Sequence, residues 1–330
     1  MPEQNIAPPA GKAGTIEVGS VDVVIPIYNE SDNIDALLGR SLQALSSAPY
    51  AFRLLLVDDG SSDDSVGKIR GWIAKEPGKI MLVRLNRNYG QHAAIIAGFE
   101  HCDADAVVTI DADLQNPPEE IPALIAKMQE GYDVVGSVRR IRKDNVLRRL
   151  ASRTMNRLVR RLTKVNMTDY GCMLRAYHRD VIKAILQCEE RFIYIPVLAN
   201  SFATHSVEVM VEHHERAAGD SKYNYWKLFT LFFDILTGTT FMPLRLLTVL
   251  GVGMCGASAI FGALLLVLRF CYGTAWGAYG VFTLFGVLFF FVGIQFFTFG
   301  VMGEYICRIS MDVRKRPKYL IASMEGAVKE

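Results

Sequence analysis

Short apolar runs alternate with amphipathic stretches through the first half of the chain. Runs rich in Val, Ile and Leu predict strands at Val21–Ile27, Arg53–Val57, Ile80–Leu85, Ala106–Ile110 and Asp133–Ser137. Intervening stretches with helical spacing predict helices at Ser31–Leu45, Ser62–Ala74, Gly90–His101 and Pro118–Gln129. Regular alternation of strands with helices predicts an α/β domain with a mainly parallel sheet and helices on both faces.

The last third of the chain has a different pattern. Leu246–Leu268 and Phe270–Gly303 contain no charged residue, and each is long enough to cross a membrane as a helix. A pair of buried core helices is the alternative, which is disfavoured because helices of soluble proteins are rarely apolar all round. The sequence therefore predicts a two-helix transmembrane hairpin.

Charge around the hairpin predicts its orientation. The connection Cys271–Tyr279 has no Lys or Arg, whereas cations follow the second run at Arg308, Arg314, Lys315, Arg316 and Lys318. Under the positive-inside rule both ends of the hairpin face the cytoplasm. The α/β domain that precedes it is then cytoplasmic as well.

These patterns divide the 330 residues into five parts. They are a leader at 1–20, an α/β domain at 21–222, an interfacial helix at 223–242, two transmembrane helices at 243–303 and a basic tail at 304–330. The leader has no apolar signal-peptide core and is predicted to be disordered. The aromatic segment 223–242 fits a helix lying in the headgroup layer, although an ordinary packed helix fits equally well.

Overall net charge, +2, says little about partners, but residues 138–164 carry eleven cations against one acid, Asp144. Three interpretations fit that composition: a solvated basic face, nucleic-acid binding, or attraction to an anionic leaflet or an anionic lipid substrate. Attraction to the leaflet or lipid is favoured, and nucleic-acid binding is disfavoured, because the same chain carries predicted membrane spans.

Polar clusters follow three of the predicted strands, at Tyr28–Glu30, Asp58–Asp63 and Asp111–Gln115. Ligands of open α/β sheets bind beyond the carboxyl ends of the strands, so the three clusters are expected to form one crevice. Clustered carboxylates repel one another unless a cation or hydrogen bonds offset the repulsion. A divalent ion bridging a diphosphate would do so.

The third cluster has the pattern of a metal site. In an extended segment Asp111, Asp113 and Gln115 place their oxygens on one side of the chain. Hard oxygen ligands suit Mg²⁺ or Mn²⁺. Helix capping by Asp113 or Asn116 is the alternative, because two prolines open a helix just after them.

The role of His92, near the start of another predicted helix, is open between substrate contact and packing.

Several motifs together resemble a known family. The segments 24–30, 57–63 and 111–113 resemble family-2 glycosyltransferases of the GT-A fold. The segments 88–92 and 113–120, with a two-span tail, resemble the polyprenyl-phosphate glycosyltransferases within it. The segments 88–92 and 169–177 resemble the branch that transfers 4-deoxy-4-formamido-L-arabinose more than the glucosyl or mannosyl branches.

The resemblance implies roles for residues at matching positions. The implied nucleotide-binding residues are Pro26, Tyr28, Glu30, Asp58, Asp59 and Asp111. The implied metal ligands are Asp111, Asp113 and Gln115, and the implied catalytic residues are Asp113, Arg216 and Lys222. Candidates for the acceptor phosphate are Arg139, Arg153 and Ser221. Asp220 stands where the family usually has Glu, a mild departure.

The resemblance also implies a reaction. A UDP-sugar would donate its sugar to undecaprenyl phosphate, with inversion, among the lipids of the bacterial inner membrane. Decoration of lipid A, resistance to cationic antimicrobial peptides and assembly into a tetramer would follow from the same resemblance. Transfer of glucose or mannose by the same architecture is the alternative. A processive polysaccharide synthase is disfavoured because its Gln-x-x-Arg-Trp element is missing, and an inactive nucleotide-binding scaffold because the acidic triplet is intact.

Overall fold

The computed structural model describes residues 14–139, 172–188, 194–211, 242–272, 281–313 and 317–327. The chain forms two compact units. One comprises Met1–Tyr223 with Arg316–Glu330, and the other comprises Asn224–Lys315.

The first unit is built from strands and helices that alternate along the chain. Its strands are β1 Ser20–Ile27, β2 Ala51–Asp58, β3 Ile80–Leu85, β4 Ala106–Thr109, β5 Val134–Arg139, β6 Arg175–His178, β7 Ser206–Val211 and β8 Ile321–Gly326. Its helices are α1 Ser31–Ser46, α2 Ser65–Lys75, α3 Gln91–Phe99, α4 Ile121–Gln129, α5 Arg179–Gln187 and α6 Ile195–Phe202. A short 3₁₀ turn, Pro118–Glu120, leads into α4.

The eight strands of the described ranges lie in one sheet, in the order β7-β5-β6-β4-β1-β2-β3-β8. Strands β4, β1, β2 and β3 are mutually parallel. Strand β6 runs antiparallel to both its neighbours, and β8 is antiparallel to β3. Because β1, β2 and β4 are parallel, their carboxyl ends share one edge of the sheet.

The central strands are apolar on both faces because helices cover both faces. Along β1, Val23, Ile25 and Ile27 pack on one side with α1, α2 and α4 residues, whereas Val24 packs on the other side with α3. Helix α3 lies so close that a methyl group on Gly98 would collide with Val24. This two-sided core fixes the sheet edge at which the polar clusters lie.

The second unit contributes two long helices, α7 Met242–Tyr272 and α8 Val281–Val313. Within these ranges one segment, Phe290–Cys307, is long and apolar enough to cross a membrane by length and composition. Its 18 residues span about 27 Å as a helix, and only 11% of the segment is buried. The predicted two-span hairpin, whose connection lies outside the described residues, stays a prediction.

The five predicted strands and four predicted helices are confirmed, with ends displaced by a few residues. Strand β8 lies within the predicted basic tail, and α8 extends into it as far as Val313. The sequence predicted no helix or strand in this tail. The predicted interfacial helix up to residue 241, the basic segment from residue 140 and the leader as far as residue 13 lie outside the described residues.

Candidate active site

The first two polar clusters are joined by hydrogen bonds between the turns that follow β1 and β2. The Asn29 amide N–H donates to Ser61 Oγ at 3.0 Å, and the Ser62 amide N–H donates to Asn29 Oδ1 at 2.8 Å. Asn29 adopts a positive φ of 54°, a conformation that Asn tolerates better than most residues. The predicted convergence of these two clusters is therefore observed.

Residues of the first cluster are placed unequally. Pro26 lies in β1 opposite Val57, and Tyr28, just beyond the strand, is 47% exposed. Glu30 is half-buried and accepts a hydrogen bond from Asn33 Nδ2 at 2.6 Å. An exposed aromatic ring beside a rigid turn is suited to stacking on a nucleobase.

Asp58 ends β2 and is completely buried. Its Oδ1 accepts a hydrogen bond from the Ser61 amide at 3.1 Å. Its Oδ2 lies 3.7 Å from Arg84 Nε, too far for a hydrogen bond, and neither of these buried atoms has a hydrogen-bond partner among the residues that the structure describes. A buried carboxylate oxygen with spare accepting capacity is suited to an N–H group of a ligand.

Asp59, the next residue, instead holds the loop between β3 and α3. Its two carboxylate oxygens accept from the backbone amides of Tyr89 and Gly90 at 2.7 and 2.8 Å. Burial raises the pKa of Asp59, although the two amides oppose the shift. The structure thus places Asp58 and Asp59 in different surroundings. The sequence alone had assigned both residues to nucleotide binding without distinguishing them.

Gly60 allows that loop to approach. It has a φ of 73°, and a methyl group there would lie 2.6 Å from the carbonyl carbon of Arg87 and 2.8 Å from the Asn88 nitrogen. Only glycine suits both the conformation and the contact.

The side chains of the third cluster alternate in exposure along the chain. Asp111, Asp113 and Gln115 are partly exposed, while Ala112, Leu114 and Asn116 between and after them are buried. Leu114 has a positive φ of 58°, and Asp113 Oδ1 accepts from the Gln115 amide at 3.2 Å. The expected extended segment is wrong, because the chain turns here and Leu114 is left-handed, but all three predicted ligands keep side chains accessible at this edge of the sheet.

Helix capping does not explain these residues. The 3₁₀ turn is preceded by Pro117 and α4 by Glu120, and neither helix start has a side-chain cap. Asn116 Oδ1 instead lies 3.5 Å from Cys172 Sγ. The capping alternative is wrong for both Asp113 and Asn116.

Two carboxylates and one amide form a set of hard oxygen donors, which fits Mg²⁺ or Mn²⁺. No group of three His, Cys, Asp or Glu side chains is placed to hold a metal within the described ranges. A site of this kind leaves coordination positions for water and for phosphate oxygens, as Mg²⁺ sites commonly do.

His92 lies at the start of α3, and its ring contacts the Tyr194 ring edge-on at a centroid distance of 5.3 Å. Burial lowers the pKa of His92 to about 4, and its Nδ1 has no hydrogen-bond partner within the described part of the chain. The imidazole is therefore neutral at physiological pH, and its role as packing or as a substrate contact stays open.

Some of the predicted site residues lie outside the described part of the chain. They are Arg153, Arg216, Ser221 and Lys222. Arg139 ends β5, but its side chain is outside the description. Their roles stay predictions.

Two residues near the site were not predicted. Gln91 donates from Nε2 to Asp111 Oδ1 at 2.6 Å, and Arg84 faces Asp58 as described above. Arg84 had a usable signal, because it is the one charged residue of the apolar strand β3. Gln91 lies within the segment 88–92 that the sequence singled out, but its contact with Asp111 depends on how α3 is placed, so the sequence assigned it no role.

Comparison with known proteins agrees with this arrangement. The family model for glycosyl transferase family 2 matches residues 22–186. The undecaprenyl-phosphate 4-deoxy-4-formamido-L-arabinose transferase of Shewanella sediminis is 52% identical over 301 residues, covering 91% of each chain. The protein of the same name from Klebsiella pneumoniae is 52% identical, covering 92% of this chain and 93% of its own. That from Proteus mirabilis is 50% identical, covering 95% and 96%.

Solved structures support the fold. Glucosyl-3-phosphoglycerate synthase from Mycobacterium tuberculosis, in complex with phosphoglyceric acid, superimposes with a TM-score of 0.50 at 18% identity. The match covers 67% of this chain and 78% of that one. A complex of the same enzyme with Mn²⁺, UDP-glucose and phosphoglyceric acid also gives 0.50, covering 66% and 78%. The predicted GT-A fold is confirmed.

The family model covers half of the chain. The named transferases match more than nine tenths of the chain, with 52% sequence identity. The chain therefore belongs to glycosyl transferase family 2, within the group of undecaprenyl-phosphate 4-deoxy-4-formamido-L-arabinose transferases.

Proposed function

We propose that this glycosyltransferase moves 4-deoxy-4-formamido-L-arabinose from a UDP donor to undecaprenyl phosphate, with inversion, at the cytoplasmic face of the bacterial inner membrane. The observation that carries the proposal is the alternating exposure of Asp111, Asp113 and Gln115 at the sheet edge where β1 and β2 also end. The choice of sugar and acceptor is supported by relatives of that name at 50–52% identity.

The nucleoside half of the donor would lie against the first two clusters. Tyr28 offers an exposed ring for stacking, and Asp58, whose Oδ2 lies 3.7 Å from Arg84 Nε, would face the base. Asp59 would act through the loop that it holds at Tyr89 and Gly90. Pro26 and Glu30 would shape the floor of this pocket.

The diphosphate would lie at the third cluster, where Asp111, Asp113 and Gln115 would hold a Mg²⁺ or Mn²⁺ ion. When bound, the metal would supply positive charge that stabilises the departing UDP. Asp113 would be the acid nearest the anomeric carbon. The attacking atom is an oxygen of the lipid phosphate, which is already anionic near neutral pH, so no strong general base is required.

The chief barrier is then repulsion between two anions, which positive charge reduces. Arg216, Ser221 and Lys222 would grip phosphate groups, since guanidinium groups bind phosphate in bidentate fashion. Arg139 and Arg153 would attract the acceptor headgroup. Support for these roles is their charge and their place in the sequence motif.

Membrane association is part of the proposal. It is supported by the apolar, largely exposed segment Phe290–Cys307 and by the cations that follow it in sequence. Product formed on the cytoplasmic leaflet would feed lipid A modification. Assembly into a tetramer rests on family resemblance.

The direct test is a transfer assay with undecaprenyl phosphate and a panel of UDP- and GDP-sugars, with the lipid product identified by mass. We expect product from the UDP-formamido-arabinose donor and loss of product on chelation. Preferential transfer of glucose or mannose would support the alternative donor instead, and unchanged activity in chelator would remove the metal assignment.

A variant pair sharpens this test. Asp113→Asn should lower kcat roughly 10²–10³-fold, because it removes a carboxylate ligand of the cation that would stabilise the departing UDP. Asp180→Asn, in the exposed first turn of α5, should leave activity unchanged. Equal effects of the two substitutions would contradict the proposed site.

A further inference from the structure

The start of α3 contacts two of the three polar clusters at once. The Gly90 amide donates to Asp59 Oδ2 at 2.8 Å, and the next residue, Gln91, donates from Nε2 to Asp111 Oδ1 at 2.6 Å. Asp59 is only 3% exposed and is fixed to β1 through its own amide, which donates to the Ile27 carbonyl at 2.8 Å. The backbone that presents Gln91 is therefore anchored to the central sheet.

The chemistry of this contact defines its direction. An ionised carboxylate can only accept hydrogen bonds, so the NH₂ group of the Gln91 amide must face Asp111. The carboxylate of an aspartate rotates easily about its Cβ–Cγ bond. One short hydrogen bond to Oδ1 limits this rotation. The hydrogen bond to Oδ1 thereby also restricts the directions that the second oxygen of Asp111 can take.

We infer that Gln91 is a positioning residue for Asp111, which orients that carboxylate for the divalent cation of the donor complex. The inference rests on the proposed function, because it assigns Gln91 a role toward the metal that Asp111, Asp113 and Gln115 would hold. Groups that hydrogen-bond to metal ligands typically change metal affinity or activity 10–100-fold when removed.

Gln91→Met tests this role because methionine keeps the length of the side chain but cannot donate a hydrogen bond. Gln43→Met, on the exposed face of α1, is the matched control. Mn²⁺ binding by full-length protein in detergent would be measured from the free Mn²⁺ signal in electron paramagnetic resonance, in the presence of UDP. UDP affinity in chelator would be measured separately by calorimetry.

We expect Gln91→Met to weaken Mn²⁺ binding about 10–100-fold and to raise the Mn²⁺ concentration needed for half-maximal transfer by a similar factor. UDP affinity in chelator should stay within twofold of wild type, because the nucleoside contacts are untouched. Gln43→Met should match wild type in both measurements.

Two results would overturn the inference while leaving the proposed function intact. One is a Gln91→Met protein that binds Mn²⁺ as wild type does. The other is a UDP affinity in chelator that falls as far as the Mn²⁺ affinity, which would make Gln91 a structural or nucleotide contact. Wild-type protein that transfers sugar but binds no Mn²⁺ or Mg²⁺ would overturn both the inference and the metal assignment.

Discussion

Arg53 and Asp22 face each other at matched positions on β2 and β1 and form a bidentate ion pair, with both N–O distances at 3.0 Å. The Arg53 guanidinium also donates to the His101 carbonyl at 2.9 Å and to the Ala327 carbonyl at 3.3 Å. The side chains of Arg53 and Asp22 are only 15% and 5% exposed. One side chain therefore ties the central strands to the turn after α3 and to the segment after β8.

Breaking this pair should be costly. Arg53→Met leaves the buried Asp22 carboxylate without its cation, which should lower the free energy of unfolding by about 3–5 kcal/mol. Urea-induced unfolding of the full-length chain, followed by intrinsic fluorescence, would measure the change.

The Arg40–Glu119 pair is the control, because it has the same bidentate geometry but is 37% and 50% exposed. Arg40→Met should cost less than about 1 kcal/mol. Equal costs for the two substitutions would contradict the buried-pair argument.

The close approach at Gly60 gives a prediction about donor binding. Gly60→Ala forces a side chain into positive φ, at about 1–2 kcal/mol, and pushes a methyl group against the backbone of Arg87 and Asn88. The loop that Asp59 holds must then shift, so UDP affinity should fall on the order of tenfold.

Gly78→Ala separates strain from collision. Gly78 has a similar φ of 87°, but a methyl group there meets no atom of the described residues within 4 Å. It should show the strain cost in thermal unfolding and keep wild-type UDP affinity by calorimetry. Loss of UDP affinity in both variants would mean that strain alone, not the contact with Arg87, is responsible.

Asp58 provides the test of the nucleoside pocket. Asp58→Asn keeps the shape of the side chain but removes the charge from the buried oxygen that lies 3.7 Å from Arg84 Nε. A hydrogen bond to a charged group contributes about 1.5–3 kcal/mol, so UDP affinity should fall about 10–100-fold. The affinity for UMP should fall by the same factor, because UMP keeps the nucleoside. If Asp58→Asn weakened the binding of UDP but not of UMP, Asp58 would not contact the nucleoside.

The central sheet could be predicted from sequence because local pattern and global fold agree there. Strand β3, Ile80–Leu85, matches its predicted bounds, since a continuous apolar run is what a strand buried on both faces requires. Strand β8, Ile321–Gly326, was not predicted. Most of its residues are exposed, and it is a strand because it pairs with the free edge of β3. Long-range pairing of this kind leaves no local signal.

The candidate site divides in the same way. Asp58 and Asp111 follow predicted parallel strands, so topology alone brings them to one edge. Asp58 and Asp59 have different partners because only Asp59 contacts the loop before α3. Two adjacent acids in a sequence do not show which of them makes that contact. Gln91 lies in the motif segment 88–92, but its contact with Asp111 could not be predicted, because the two residues are brought together only by the placement of α3.

The neutral His92 predicts a dependence of stability on pH. Burial lowers its pKa to about 4 from an ordinary value of 6.5, so between these values the unfolded chain binds a proton that the folded chain does not. Stability is therefore unaffected above about pH 6.5 and falls as the pH drops toward 4. At pH 5 the loss relative to pH 7.5 should be about 2 kcal/mol.

His92→Phe isolates this contribution, because phenylalanine keeps a ring against Tyr194 and cannot be protonated. Urea-induced unfolding at pH 7.5 and pH 5 should show a smaller acid-induced loss for this variant than for wild type, by about 2 kcal/mol. His205→Phe, in the turn before β7, controls for the loss of an imidazole elsewhere. If wild type and His92→Phe lose equal stability, the imidazole must be solvated or paired in the folded protein, and substrate contact through its Nδ1 becomes the better account of this residue.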